Sequence, residues 1–195
     1  MNSKQLILLA LHYFKGGIRG KTLLQKRMYF LDILLKEKLG DSAQLPDLDF
    51  IPYYYGPYSP VVNEDLIYIK LGNYISENSV EFDFVNDSGF QAKRTDFILT
   101  DSGRARAIEL ERENPELARH INDICDTIHK IDNDRYEQIA IDAKTHFILK
   151  SESRPLNRDN IKEIARKRCK WIIDDKQIDE AFKHLKDLKL AIDSN

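Results

Sequence analysis

Apolar residues recur every three or four positions over most of this chain, and only one stretch alternates at period two. Leu6, Leu9, Ala10 and Tyr13 predict an amphipathic helix from Ser3 to about Lys15, ended by Gly16-Gly17. A second helix is expected from Lys21 to Leu39, with Leu24, Met28, Leu31 and Leu35 as its stripe and Leu23, Phe30 and Leu34 widening it. Gln25, Tyr29, Asp32 and Lys36 fall off that stripe, and Gly40 is a natural stop. Ser59-Pro60 reads as an N-cap followed by the first helical residue. It opens a third helix to Leu71 with Val62, Leu66 and Ile69 inward. Val80 to Val85 alternates, Asn86-Asp87-Ser88-Gly89 is a turn cluster, and Phe90 to Leu99 returns, which together predict a β-hairpin. Thr100 then caps another helix, with Asp101 in its first turn.

Between the second and third helices lies Phe50-Ile51-Pro52-Tyr53-Tyr54-Tyr55-Gly56-Pro57-Tyr58-Ser59-Pro60. It holds four of the nine tyrosines and three of the six prolines. A buried tyrosine removes about 150–250 Å² from water, so the rings are expected to dock a short extended strand against helix two. Gly56-Pro57 breaks the strand. The segment thus reads as a hinge that launches helix three, with alternate residues of the strand facing inward.

The order helix, helix, short strand, helix, hairpin is that of a winged helix, expected over residues 1–112. The remainder, 113–195, predicts an all-helical extension. Leu117, Ile121, Ile124, Ile128 and Ile131 form one heptad-like stripe, and Tyr136, Ala140, Ala143 and Phe147 form another. Two such short stripes suit an antiparallel helical hairpin or, as the alternative, a homodimer seam. A polar linker from Ser151 to Asn157, a basic helix and a last helix carrying Ile178, Ala181, Phe182, Leu185 and Leu188 complete the chain. The fold class is therefore α+β, mostly helical.

Composition adds little until charge is placed along the chain. The net charge is −2, yet residues 1–31 hold six Lys or Arg and no acid, 32–92 hold eleven acids against three bases, and 150–170 hold eight bases against three acids. Segregation of this kind points to separate interaction faces. No apolar run approaches the ~18 residues that span a bilayer, no leader cleavage site follows Met1, and Cys125 and Cys169 lack motif spacing. A cytoplasmic protein with reduced thiols and no membrane partner is expected.

Three motifs carry a resemblance: Gly20-Lys21-Thr22-Leu23-Leu24-Gln25-Lys26, then Tyr53-Tyr54-Tyr55-Gly56-Pro57-Tyr58-Ser59, and Leu99-Thr100-Asp101-Ser102-Gly103-Arg104. On these the chain resembles the YwgA-like family and, more loosely, the Panacea (SocA-like) antitoxin domain. The likeness covers residues 20–105 well and the C-terminal half weakly. It implies a winged helix with a helical extension. It also implies a role as an antitoxin, a protease adaptor or a component of a defence or mobile-element locus, with no particular toxin carried over.

Catalytic chemistry finds no support in the sequence. The five histidines are scattered, and there is no phosphate-cradling glycine loop, nucleophile elbow or distinctive carboxylate pair. Cys125, His129 and His120 lie near one another on one helix, but without a second ligand cluster they read as the flank of a packed helix, so no metal and no cofactor is expected. Two binding readings remain. The outward residues of helix three should be Val61, Glu64, Asp65 and Tyr68; with Tyr54 and Tyr58 they form a tyrosine-rich acidic surface suited to a basic, partly apolar protein segment. That makes the leading expectation a non-enzymatic, antitoxin-like or regulatory protein that binds a toxin or defence effector. The alternative is a DNA-binding transcriptional regulator using Lys15, Arg19, Lys21, Lys26, Arg27, Lys93 and Arg94. Six phosphate contacts would give a salt slope near −5.

Overall fold

The computed structural model describes residues 1–40, 44–85, 91–152 and 155–190, with the backbone alone for 82–85 and 91–92. Eight helices and a three-stranded antiparallel sheet make up the described residues, an α+β arrangement that is mostly helical. The order is α1 (Ser3–Tyr13), β1 (Gly17–Arg19), α2 (Lys21–Leu39), α3 (Pro60–Leu71), β2 (Ile75–Val85), β3 (Gln91–Leu99), α4 (Asp101–Glu113), α5 (Pro115–Asp132), α6 (Tyr136–Ser151), α7 (Arg158–Cys169) and α8 (Asp175–Asp187). The sheet runs β1-β3-β2, with Ile18 opposite Phe97 and Ile75 opposite Leu99. The turn expected at 86–89 lies outside the described residues.

Local chemistry sets most of these boundaries. Asn2 and Gln5 form a reciprocal capping box at α1. The Ser59 hydroxyl accepts from the Val62 amide at 2.9 Å, and Thr100 Oγ1 accepts from the Gly103 amide at 3.0 Å. Gly103 has to be glycine, because a Cβ there would lie 1.9 Å from the Tyr74 carbonyl oxygen. That contact, with the Thr100 amide donating to Tyr74 O at 3.0 Å, presses the start of α4 against the α3–β2 junction.

Three expectations change. The short strand lies between α1 and α2, at Gly17–Arg19, and residues 50–58 contribute only a bridge between Ile51 and Tyr58. Three residues are too few to show a period, and the Gly16-Gly17 pair that ends α1 also begins β1. Second, burial on α1 and α2 extends well beyond the expected apolar stripes. Leu6 to Leu11 are all buried, and so are Gln25, Lys26, Arg27, Tyr29 and Asp32 on the supposedly polar side of α2. Third, α5 and α6 each pack more extensively on α2 than on one another, so α2 runs between the expected hairpin arms. One buried cluster therefore joins Leu9 of α1 and Met28 of α2 to Ile121 of α5, Ile148 of α6 and Trp171, across the α4–α5 junction where the 112/113 division falls. No helix among the described residues is long and apolar enough to cross a membrane.

Candidate partner-binding surface

The tyrosine-glycine-proline corner is held by its backbone, and its rings face out. Ile51 and Tyr58 exchange two backbone hydrogen bonds of 2.9 Å, and the Gly56 amide donates to Tyr53 O at 3.0 Å. Buried polar side chains grip the same backbone from below. Gln25 accepts from the Ser59 amide at 2.8 Å and donates to Ser59 O at 3.1 Å. The Lys26 ammonium donates to Pro57 O at 2.6 Å, the Ser59 hydroxyl donates to Leu48 O, and Trp171 Nε1 donates to Tyr53 O at 2.6 Å. Gly56 sits at φ +103° with Lys26 Cε and Lys144 Cγ each 3.1 Å from where a Cβ would be, so a side chain fits neither the backbone nor the space. Residues of the first two sequence motifs are thus contact partners: Gln25 and Lys26 hold Pro57 and Ser59.

With the backbone pinned, Tyr53, Tyr54 and Tyr55 are 50%, 72% and 66% exposed. The expectation that these rings dock the segment to helix two is corrected: polar atoms beneath the backbone perform that task. The rings instead form a chain on the surface, Tyr53 packing edge-on against Tyr54 at 4.9 Å and tilted by 33° against Tyr58 at 5.0 Å. Burial, the neighbouring Tyr53 and the Glu64 carboxylate all push the Tyr58 hydroxyl pKa up, which places Tyr58 between the corner and α3.

On α3, Val62, Leu66 and Ile69 face the core as expected. Val61 is half-buried against that core, while Glu64 and Tyr68 are exposed. Asp65 is not on the outer face. Its side chain is buried and bonded to Lys4 at 3.0 Å, and its Oδ2 has no hydrogen-bond partner. The Lys4 ammonium also lies over the Tyr68 ring, 5.2 Å from its centroid. Two surface residues were missed, Ile67 and Leu71, both exposed. The signal was available: once Val62, Leu66 and Ile69 are assigned inward, the apolar residues left over on α3 must point out.

The cationic candidates divide differently from the expectation. Lys26 and Arg27 are buried and cannot meet a phosphate. Arg27 donates to Asp132 Oδ1 and Oδ2 and to Asp134 Oδ1, each at 2.7 Å, with His129 Nδ1 at 3.1 Å and the Phe14 ring 4.4 Å from its carbon. Lys93 pairs with Glu81 at 2.6 Å, and Arg94 forms a two-pronged bridge to Asp96 at 2.7 and 3.0 Å. Lys15, Arg19 and Lys21 remain exposed, Lys15 reaching His129 Nε2 at 3.2 Å. His129, Asp132 and Asp134 bring ligand atoms within 4.8 Å of one another, but the Arg27 guanidinium already supplies the positive charge at that point. Cys125 is buried beside it, and burial pushes its thiol pKa up, away from the thiolate a metal requires.

Compared with known proteins, the chain matches no family model and no curated relative.

Proposed function

We propose that this chain is a winged-helix binding protein without catalytic activity of its own. Its role would be antitoxin-like or regulatory within a prokaryotic accessory or defence system, exercised through a protein partner such as a toxin or defence effector. The element order α1-β1-α2-α3-β2-β3 with sheet order β1-β3-β2 supports a winged helix, in which α3 takes the recognition-helix position. The observation that carries the reading is what α3 offers there. Its outward residues Glu64, Ile67, Tyr68 and Leu71 are acidic or apolar, and its one lysine, Lys70, is paired with Glu77 at 2.5 Å. A polyanion would meet a single lysine there, flanked by the Glu64 and Glu77 carboxylates, whereas exposed tyrosine and aliphatic side chains beside a rigid corner suit a protein partner.

The test is co-purification of a stoichiometric protein partner by tagged full-length protein from its own host. Tyr54→Ala and Tyr68→Ala should each lose the partner while the melting temperature stays within about 2 °C, since exposed substitutions cost little. DNA binding is the competing outcome. Lys15, Arg19 and Lys21 would support at most three phosphate contacts, hence a salt slope near −2.7 on random duplex. A slope of −5 or steeper, abolished by Lys15→Glu and Lys21→Glu, would overturn the protein-partner reading.

A further inference from the structure

We propose that the outer face of α3 pairs with the same face of a second copy of this chain, the two helices antiparallel across a two-fold axis. The inference rests on the reading of that face as an interface: a second copy occupies it in the free protein, and a partner that needs Tyr68 would displace that copy.

Ile67, Tyr68 and Leu71 are 54%, 60% and 78% exposed within five residues of one helix. Single exposed aliphatic residues are ordinary on a protein surface, but three on one helical stripe form a patch. A two-fold interface requires a patch that complements itself. About an axis passing between Ile67 and Tyr68, an antiparallel pairing sets Ile67 against the second copy's Tyr68 and brings Glu64 beside its Lys70 and Leu71. The apolar centre is then closed at each end by opposite charges. A parallel pairing would place Glu64 on Glu64, which like charges forbid.

The charge inventory fits this arrangement. Glu64 has no cationic partner among the described residues. Among the described residues Lys70 bonds only to Glu77, in a pair that is 50% and 29% exposed, so its long side chain can exchange one carboxylate for another at small cost. A different protein would have to bring its own cation to Glu64, whereas a second copy carries one in register. α3 is twelve residues, about 18 Å long, so the contact is small and the dimer should be weak, with Kd on the order of micromolar.

Sedimentation velocity on the full chain, from about 1 to about 200 μM, brackets that range. Wild type should dimerise within it. Glu64→Lys and Lys70→Glu should each raise Kd at least about tenfold, because the two-fold axis repeats every lost pair and every new repulsion. Glu64→Lys combined with Lys70→Glu should return Kd to within about threefold of wild type. Ile67→Asp, at an exposed position that leaves the fold intact, should be monomeric throughout. Wild type that stays monomeric at the highest concentration, or a double variant as weak as the single ones, would overturn the pairing. A monomer that still retains a Tyr68-dependent protein partner defeats the second copy alone. A charge-swappable dimer whose partner capture ignores Tyr54→Ala and Tyr68→Ala defeats the partner-binding reading alone.

Discussion

Lys26 is the sharpest place to test the account of the corner. Its side chain is buried, its ammonium has Pro57 O at 2.6 Å, and no carboxylate accompanies it among the described residues. Burial first, and then the neighbouring Lys144 ammonium, hold its pKa down to about 7 from an ordinary 10.5. The interval spans about 3.5 pH units, or roughly 4–5 kcal/mol at 1.36 kcal/mol per unit, as an order of magnitude. The sign follows from linkage: a pKa lowered in the folded state means that the unfolded chain holds the proton more tightly. The contribution to stability is therefore full above pH 10.5 and is lost as pH falls through 7. Between pH 7.5 and 9.5, Lys26 should raise wild-type stability by about 2.5 kcal/mol. Lys26→Met removes the titration and fills nearly the same volume, although Pro57 O loses its donor at a cost of about 1–3 kcal/mol. Urea denaturation of both proteins at a series of pH values reads the slope. Cys125, Cys169 and the tyrosines titrate in both, so the difference between the two curves isolates Lys26. Parallel curves would refute the reasoning, because they would mean that the folded protein holds the Lys26 proton as tightly as the unfolded chain does.

Other outcomes follow from the same geometry. Arg27→Met takes both guanidinium bonds from the Asp132 carboxylate, which has no exposed side-chain surface, and leaves it the Asp134 amide at 2.9 Å; we expect a loss of about 3–5 kcal/mol, read as a fall of about 10 °C in Tm. Burial first, and then the Lys150 ammonium, lower the His146 pKa from 6.5 to about 4, so stability should be full above pH 6.5 and decline by about 3 kcal/mol as pH falls to 4. That decline should be absent in His146→Phe, measured by urea titration at each pH. Gly103→Ala drives a Cβ into the Tyr74 carbonyl at 1.9 Å, and the loss should be about 3 kcal/mol or more, visible as a cooperative thermal transition shifted down or lost.

Helix positions and caps were legible because they are local. Lys21–Leu39 is bounded as expected, and Ser59 and Thr100 cap the helices that their sequence context announced. The inner residues of α3 were legible for the same reason, since Val62, Leu66 and Ile69 share one face. What misled was the assumption that polar means outside and aromatic means inside. Gln25, Lys26 and Arg27 are inside because their partners, Ser59, Pro57 and Asp132, lie 31 to 105 residues away in the chain. No window of local periodicity contains such pairs. The tyrosines are outside because those same buried polar groups already hold the backbone beneath them.

The two inversions are one fact, and it bears on function. The basic first 31 residues suggested a face for nucleic acid, but of their six cations Lys26 and Arg27 lie inside and Lys4 pairs with Asp65. Lys26 anchors the corner from beneath, so the tyrosine rings above it face solvent, and α3 itself carries only Lys70, beside Glu64 and Glu77. Removing charge from the surface and adding aromatic area to it act in the same direction. Both follow from how α2 and, between α7 and α8, Trp171 grip the corner, so a variant that loosens that grip, Lys26→Met or Trp171→Phe, should weaken the proposed partner binding before it unfolds the chain. Retained binding in both, with Tyr54 still required, would show that the rings keep their positions without the anchors beneath them.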